Sequence, residues 1–248
     1  MVLPEKKTEP LDEIEKYLLF LYGVPKIGKT TFCSMMNDPL FIATEQGLNA
    51  LSVYAVFPRS WDDVLETGAE LEETDAYRTI VLDTVDNAYQ MAMDYTCKKY
   101  SIKHPQDLEY GKGWSLVNKE FQRVVNKLAQ SRRGLVLVSH SQDSTIKTRT
   151  AEITKSVPTI SGGARKFILG LADIILFAEM VETKDGMKRT LHAAPSENWE
   201  AGDRTGRLPA EMPLDWPAVK AAFENGSHPV NPKKAVKDKG APANDKLC

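Results

Sequence analysis

A short glycine-containing stretch near the N-terminus constrains the fold more than any other part of the sequence. Residues 23–30 read GVPKIGKT, which fits the pattern G-x-x-x-x-G-K-[ST] of phosphate-binding loops. Glycines let the backbone curl closely around an anion, so that successive N–H groups can face a phosphate. The pattern therefore predicts a triphosphate site that lies between a strand and a helix.

Individual positions of this loop have predicted roles. Lys29 is expected to reach the β- and γ-phosphates as a point charge, and the Thr30 hydroxyl to ligate Mg²⁺. The helix that begins here would direct the positive end of its dipole at the anion. The residues predicted to contact the nucleotide are Gly23, Val24, Pro25, Lys26, Ile27, Gly28, Lys29, Thr30 and Thr31.

The sequence on either side of the loop favours a working nucleotide site. Residues 17–22 (YLLFLY) form a bounded apolar run of the kind that a buried parallel strand requires. Residues 31–36 (TFCSMM) continue as a half-buried helix. Strand, loop and helix stand in the order that a phosphate loop needs, whereas the alternative is a glycine turn with an incidental lysine.

Composition places the chain among ordinary globular proteins. A chain of 248 residues, 42% hydrophobic and 27% charged, can bury a full core as one α/β domain. The net charge of −2 argues against an overall basic nucleic-acid-binding surface, although it allows a local basic patch. The three cysteines form no C-x-x-C pair, which indicates reduced thiols in a cytoplasm. Neither a long apolar run nor an apolar N-terminus is present, so we expect no membrane span and no signal peptide.

Strand-like and helix-like segments alternate along the chain. Apolar runs predict further strands at residues 39–44, 77–83, 134–140 and 173–178. Helical spacing of apolar residues predicts helices at residues 61–73, 86–100, 113–130, 164–171 and 216–223. Asp185-Gly186 between two apolar segments predicts a hairpin. The alternation predicts an α/β fold, a three-layer core on a mainly parallel sheet with a late antiparallel hairpin.

The remaining segments have little apolar periodicity. Residues 1–16 are predicted to be a flexible lead-in and residues 225–248, rich in Gly, Pro, Lys and Asp, a disordered tail, which leaves residues 17–224 as the folded domain. Residues 141–161 are rich in Ser, Thr and Lys. Their composition predicts a long loop, and a loop of this length is usually functional or disordered.

Polar residues end three of the predicted strands, at Glu45, Asp83 and His140. Ligands of parallel sheets bind at the carboxyl ends of the strands, so these residues are expected beside the phosphate loop. Asp83 is predicted to hold Mg²⁺ together with Thr30, and Glu45 to act as general base for an attacking water. His140, or Ser139 beside it, would sense the γ-phosphate. The plainer alternatives are a helix-capping aspartate, a solvated glutamate and a histidine satisfied at a strand end.

Cations cluster after the fourth strand. Arg165 and Lys166 follow a double glycine, where they could stabilise transition-state charge on a nucleotide held by a neighbouring subunit. Lys147, Arg149 and Lys155 give the preceding stretch a basic character that could follow a single-stranded DNA backbone. The stretch contains no aromatic residue for base stacking, and a simple solvated loop is the alternative.

Five short motifs, taken in order, resemble those of phage-encoded RecA/Rad51-like nucleotide-binding proteins. They lie within residues 17–216, at residues 22–32 (YGVPKIGKTTF), 41–47 (FIATEQG), 79–84 (TIVLDT), 110–114 (YGKGW) and 202–209 (GDRTGRLP). The resemblance implies a RecA-like ATPase core that uses ATP and Mg²⁺ and acts on single-stranded DNA in phage recombination. It also implies a homo-oligomer, located in the host cytoplasm, with a phage single-strand-binding protein as a possible partner.

The resemblance also assigns roles to single residues. It implies that Glu45 activates the water, that Asp83 is the metal-holding aspartate, and that Arg165 and Lys166 reach across a subunit interface. The sequence departs from the family pattern at Ser139-His140, which replaces the usual sensor glutamine. Neither an aromatic wedge in the DNA loop nor separate oligomerisation and DNA-binding domains are recognised. These departures favour annealing or an accessory role over full strand exchange.

Other classes of P-loop protein fit the sequence less well. A small GTPase would carry D-x-x-G after its third strand and an N-K-x-D motif, whereas residues 83–86 read DTVD. A small-molecule kinase would need a substrate pocket and an arginine-rich lid. Residues 141–161 could serve as such a lid, although Glu45 at the end of a strand fits hydrolysis better. A nucleotide-gated loader or scaffold for replication proteins, with little turnover, remains a further alternative.

Overall fold

Ten strands and six α-helices make up the described part of the computed structural model, which comprises residues 3, 5–147, 152–160 and 162–226, with the backbone alone at 146 and 147. The strands are β1 (Leu18–Gly23), β2 (Pro39–Ala43), β3 (Tyr54–Val56), β4 (Thr79–Asp83), β5 (Gly134–Lys147), β6 (Glu152–Pro158), β7 (Ile174–Thr183), β8 (Gly186–His192), β9 (Gly202–Asp203) and β10 (Glu211–Pro213). The helices are α1 (Lys29–Ser34), α2 (Trp61–Glu70), α3 (Val85–Lys99), α4 (Lys112–Ala129), α5 (Gly162–Leu171) and α6 (Trp216–Asn225).

The sheet is mainly parallel and has the order β10-β8-β7-β1-β5-β4-β2-β3. The strands from β7 to β3 run parallel to one another, whereas β8 pairs antiparallel with β7 and β10 antiparallel with β8. The predicted mainly parallel sheet with a late antiparallel hairpin is therefore confirmed. β5 lies between β1 and β4, so the strand that carries His140 separates the phosphate-loop strand from the aspartate strand.

Helices cover both faces of the sheet, as the three-layer prediction requires. In β1, Phe20 and Tyr22 point into an apolar cluster with residues of α2, α3, α4 and α5. Leu19 and Leu21 point into a second cluster with residues of α1 and α6. Because both faces of the strand are buried, its sequence is continuously apolar rather than alternating.

The predicted loop over residues 141–161 was wrong. β5 continues past the sheet to Lys147 and pairs antiparallel with β6, in a register from Ser141 opposite Pro158 to Lys147 opposite Glu152. This β5–β6 hairpin is held by backbone pairing, and most of its described side chains are exposed or only partly buried. A strand with polar residues on both faces has no apolar alternation, so the pattern did not indicate a strand.

Packing begins before the predicted start of the domain at residue 17. A short 3₁₀ turn at Ile14–Lys16 buries Ile14, and the Glu15 carboxylate accepts hydrogen bonds from Asn37 and Lys220. At the other end, α6 closes the described chain, and the rest of the predicted tail, residues 227–248, lies outside the described residues. Within the described residues, no helix is both long and apolar enough to span a membrane.

Gly134 offers a test of this packing, because a Cβ at this position would overlap the backbone carbonyl oxygen of Glu15. We expect Gly134→Ala to lower the free energy of unfolding by about 1–3 kcal/mol, as overpacking against backbone does. The measurement is equilibrium denaturation by urea. Gly170→Ala is the control, because a Cβ there meets nothing within 4 Å and an alanine suits a helix interior. Equal stabilities of the two variants would contradict the packing of the N-terminal turn against β5.

Candidate functional site

The loop between β1 and α1 presents backbone N–H groups that are not used for folding. Lys26 and Gly28 have positive φ angles of 64° and 115°, which turn successive peptide groups to the same side. Among the described residues, the N–H groups of Lys26, Ile27 and Gly28 have no hydrogen-bond partner. Neighbouring N–H groups that point into one concavity form an anion-binding nest. The loop therefore has the backbone chemistry that phosphate binding needs.

Lys29 is buried, with 5% of its surface exposed, and its ammonium lies at the loop. It donates hydrogen bonds to the carbonyl oxygens of Gly23 and Val24, at 2.8 and 3.0 Å. Burial lowers the pKa of Lys29, and the nearby carboxylates of Asp83 and Glu45 oppose that shift. The loop thus holds an ammonium group that is largely removed from water. Because the surroundings screen its charge less than water would, its attraction to an anion is stronger.

The two residues predicted to hold magnesium are in contact. The Thr30 hydroxyl donates a hydrogen bond of 2.9 Å to Oδ2 of Asp83, at the end of β4. Burial raises the pKa of Asp83; the Thr30 hydrogen bond opposes that shift, and Glu45 adds to it. The described residues contain no cluster of three or more His, Cys, Asp or Glu side chains that could hold a metal by itself. One carboxylate and one hydroxyl fit Mg²⁺, which completes its octahedron with water and substrate phosphates.

His140 joins the phosphate loop to Glu45. Its Nδ1 lies 3.4 Å from the Lys29 ammonium, and its Nε2 lies 3.1 and 3.3 Å from the two carboxylate oxygens of Glu45. A neutral imidazole satisfies both contacts when Nε2 carries the proton and donates to Glu45, while Nδ1 accepts from Lys29. Asn87 reaches Glu45 as well, at 3.5 Å. The ring therefore links the predicted base to the phosphate-binding cation.

A second polar group, which sequence analysis missed, lies behind this arrangement. Asp86, in the first turn of α3, accepts hydrogen bonds at Oδ1 from the hydroxyls of Ser139 and Thr159, at 3.2 and 2.6 Å. The Thr159 N–H also donates to the His140 carbonyl, at 3.0 Å. Sequence analysis gave Asp86 no role at the site and named Ser139 only as the alternative to His140 for sensing the γ-phosphate. The position of Asp86, three residues after the end of the Asp83 strand, was the one sequence signal that could have placed its carboxylate near the candidate site.

The predicted cations of the β5–β6 hairpin and α5 lie apart from this centre. Lys155 forms an ion pair with Glu200 at 3.7 Å, and both side chains are largely buried. In the described part of the chain, neither Arg165, which is partly buried, nor the exposed Lys166 is bonded to Lys29, Glu45 or Asp83. The side chain of Lys147 and all of Arg149 lie outside the described residues. The roles of these cations toward a neighbouring subunit and DNA stay predictions.

Fold and site together define an α/β P-loop nucleoside triphosphatase domain. The phosphate loop follows the central strand β1. Asp83 ends β4, Glu45 lies two residues after β2, and His140 of β5 lies opposite Gly23, so all three lie at the edge of the sheet that carries the loop. The chain belongs to a family described as AAA domain (AAA_24), whose model matches residues 15–205. Membership of this family implies binding of a nucleotide, usually with Mg²⁺.

Two individual proteins add context. The chain is 28% identical over 137 residues to the SPbeta prophage-derived uncharacterized protein YorG of Bacillus subtilis (strain 168). That match covers 52% of this chain and 42% of YorG, so the chain spans less than half the length of this relative. The KaiC-like protein PH0186 from Pyrococcus horikoshii OT3 aligns with a TM-score of 0.41 and 12% identity, over 72% of this chain and 78% of its own.

The raised pKa of Asp83 gives a prediction about stability. A carboxyl whose pKa is higher in the folded than in the unfolded chain stabilises the fold at low pH, and that stability is lost as the pH rises through its folded pKa. We therefore expect Asp83→Asn to raise the Tm of the nucleotide-free protein at pH 7 to 8, because the amide is never charged. The difference from the wild type should shrink as the pH falls into the acid range. Thermal unfolding in EDTA across this range measures it.

The matched control for this test is Asp94→Asn, a neutralised carboxylate on the exposed surface of α3. It should leave the Tm nearly unchanged throughout the same pH range. A Tm of Asp83→Asn at or below that of the wild type at neutral pH would show that burial does not disfavour the ionised carboxylate.

Proposed function

We propose that this chain binds ATP with Mg²⁺, hydrolyses it, and uses the cycle to act on single-stranded DNA in phage recombination, by annealing or strand pairing. The observation that carries the proposal is the joining of Lys29, His140 and Glu45 beside the Thr30–Asp83 pair, at one edge of a parallel sheet. Four parts of the chain supply these groups: α1 carries Lys29 and Thr30, β4 ends at Asp83, β5 carries His140, and Glu45 follows β2. Each has a place in a hydrolytic reaction at the γ-phosphate.

In this mechanism the loop N–H groups and Lys29 bind the phosphates and stabilise charge that develops on the transferred group. Glu45 accepts the proton of the attacking water as general base. Thr30 and Asp83 would hold Mg²⁺, which supplies neutralisation of the β- and γ-phosphate charge when bound. His140 orients Glu45 through Nε2. Its other nitrogen faces Lys29, so a change at the ammonium is transmitted to the base.

The DNA part of the proposal rests on the β5–β6 hairpin. β5 carries His140 within the sheet and continues directly into this hairpin, whose register begins at Ser141. The base of the hairpin therefore lies next to His140 of the candidate nucleotide site. Lys147 and Lys155 belong to the two strands of the hairpin and Arg149 lies between them in the sequence, and cations of this kind suit a phosphate backbone. The prophage origin in the name of YorG supports a phage setting. We further propose a homo-oligomer in which Arg165 and Lys166 act on a neighbouring subunit's nucleotide, with a phage single-strand-binding protein as partner.

A nucleotide-gated scaffold with little turnover is the second candidate, and a specific contact favours it. The hydrogen bonds from His140 and Asn87 occupy the Glu45 carboxylate oxygens, which leaves fewer of their lone pairs open to an attacking water. For such a scaffold, the bound nucleotide sets the position of the β5–β6 hairpin, and slow hydrolysis returns the hairpin to its nucleotide-free position. Phosphate release measured with and without single-stranded DNA separates the candidates, because strong stimulation supports recombination and negligible turnover supports the scaffold.

Substitution of the predicted base tests hydrolysis. We expect Glu45→Gln to bind ATP about as tightly as the wild type and to lower kcat by about 10²- to 10⁴-fold, because the amide cannot accept the water proton. Lys29→Ala should instead lose ATP binding. Nucleotide titration and phosphate release measure the two properties separately. Glu66→Gln, on the exposed surface of α2, is the matched control. Unchanged turnover of Glu45→Gln would assign the base elsewhere, and transfer of phosphate to a small molecule would indicate a kinase.

Removal of the hairpin cations tests DNA binding. We expect Lys147→Ala/Arg149→Ala/Lys155→Ala to weaken binding to a single-stranded oligonucleotide and to reduce the slope of log K against log salt by about 2, or about 0.7 for each lost phosphate contact. The control removes Lys16, Lys98 and Lys99, which lie before β1 and at the end of α3. If the slope of the hairpin variant equals that of the control, the DNA does not bind along the hairpin.

A further inference from the structure

The antiparallel strand β8 brings a second cation to the phosphate loop. A Cβ at Gly28 would lie 3.2 Å from Nη1 of Arg189 and 3.6 Å from Cδ2 of Leu214. We infer that Arg189 is a further nucleotide-binding residue, which contacts the phosphates of a nucleotide held by the loop of the same chain. The inference rests on the proposed nucleotide binding and adds a residue from a part of the chain that carries no phosphate-binding motif.

Strand register explains why Arg189 reaches the loop. Gly23, the last residue of β1, pairs with Ala178 of β7, and Ala178 pairs with Leu191 of β8. Arg189 pairs with Met180, so it lies two residues beyond that level, on the side where the chain leaves β1 and forms the loop. The Leu214 N–H donates a hydrogen bond of 3.1 Å to the Arg189 carbonyl and fixes the backbone there.

The alternation of side chains along β8 sets the direction of Arg189. Leu191 is buried in the apolar cluster that contains residues of α1 and α6. Residues two apart on a strand share a face, so Arg189 lies on the same face as Leu191, the face that α1 covers. Lys188 belongs to the opposite face, and its ammonium donates a hydrogen bond of 3.0 Å to Asp185. Lys188 therefore points away from the phosphate loop and is bonded to Asp185, whereas Arg189 points toward the side of the sheet on which the loop lies.

The charges around the phosphate loop favour a role for Arg189 in phosphate binding. Lys29 faces two carboxylates, Asp83 and Glu45, so its ammonium already interacts with negative charge before a triphosphate arrives. The Arg189 guanidinium makes no hydrogen bond or ion pair with any of the described residues. An arginine presents donors in a planar fork that matches phosphate oxygens. Its free donors and its place beside Gly28 suit a phosphate of the bound nucleotide.

The test compares Arg189→Ala with Lys188→Ala in the full chain, by titration of ADP and of ATP with Mg²⁺. We expect Arg189→Ala to weaken binding about tenfold to a hundredfold, as the loss of a charged hydrogen bond does, with Arg189→Lys in between. Lys188→Ala removes the same charge one position away and should bind within about twofold of the wild type. Weaker binding of both nucleotides assigns the contact to the α- or β-phosphate, and of ATP alone to the γ-phosphate. Either result supports the inference.

Two results would overturn the inference, and they are distinguishable. If the wild type binds nucleotide, Lys29→Ala does not, and Arg189→Ala binds like Lys188→Ala, then Arg189 is not a nucleotide-binding residue and the proposed function stands. If the wild type binds no nucleotide, or Lys29→Ala binds as well as the wild type, the proposed function fails together with the inference. Arg189 is exposed, so the variant should fold, and an unchanged thermal unfolding curve checks this.

Discussion

The buried ammonium of Lys29 is the interaction on which the rest of the site depends. A charge taken out of water must be compensated by hydrogen bonds and opposite charges, or it destabilises the fold. Here the compensation comes from the carbonyls of Gly23 and Val24 and from the carboxylates of Asp83 and Glu45. Those carboxylates belong to different strands. The burial of the ammonium is therefore partly compensated because β4, which ends in Asp83, and β2, which precedes Glu45, finish at the same edge as β1.

The same burial makes the site electrostatically unfavourable on its own. Burial lowers the pKa of Lys29 and raises that of Asp83, so each group is held in surroundings that disfavour its charge. Groups in this condition are stabilised by a ligand that supplies the missing charge, and binding then adds to the stability of the folded state. A triphosphate with Mg²⁺ has charges of both signs and matches both groups. Binding of a nucleotide with Mg²⁺ would therefore offset part of the cost of burying the charges of Lys29 and Asp83.

Local patterns predicted the parts of the fold that depend on local sequence. The phosphate-loop motif could be recognised from its residue pattern. The apolar run of β1 predicted a strand because a strand that is buried on both faces has no polar positions. The β5–β6 hairpin was not predictable in this way, because its strands are polar on both sides. The contact of His140 with Lys29 depends on β5 lying between β1 and β4, and strand order is not written in any single segment. The nearness of Arg189 to the phosphate loop could not be predicted for the same reason, because it follows from the register of β8 with β7 and of β7 with β1.

The polar groups behind the site connect it to the base of the β5–β6 hairpin. Both strands of the hairpin are tied to one carboxylate. Ser139 lies in β5 two residues before the antiparallel register begins at Ser141, Thr159 directly follows β6, and each donates to Asp86. Asp86 in turn lies three residues after Asp83, in a segment too short to move independently of it. A shift of Asp83 toward a metal ion would displace Asp86 and, through it, the base of the hairpin on both sides. The two strands of the hairpin therefore share one hydrogen-bond acceptor at its base, which couples the position of one strand to that of the other.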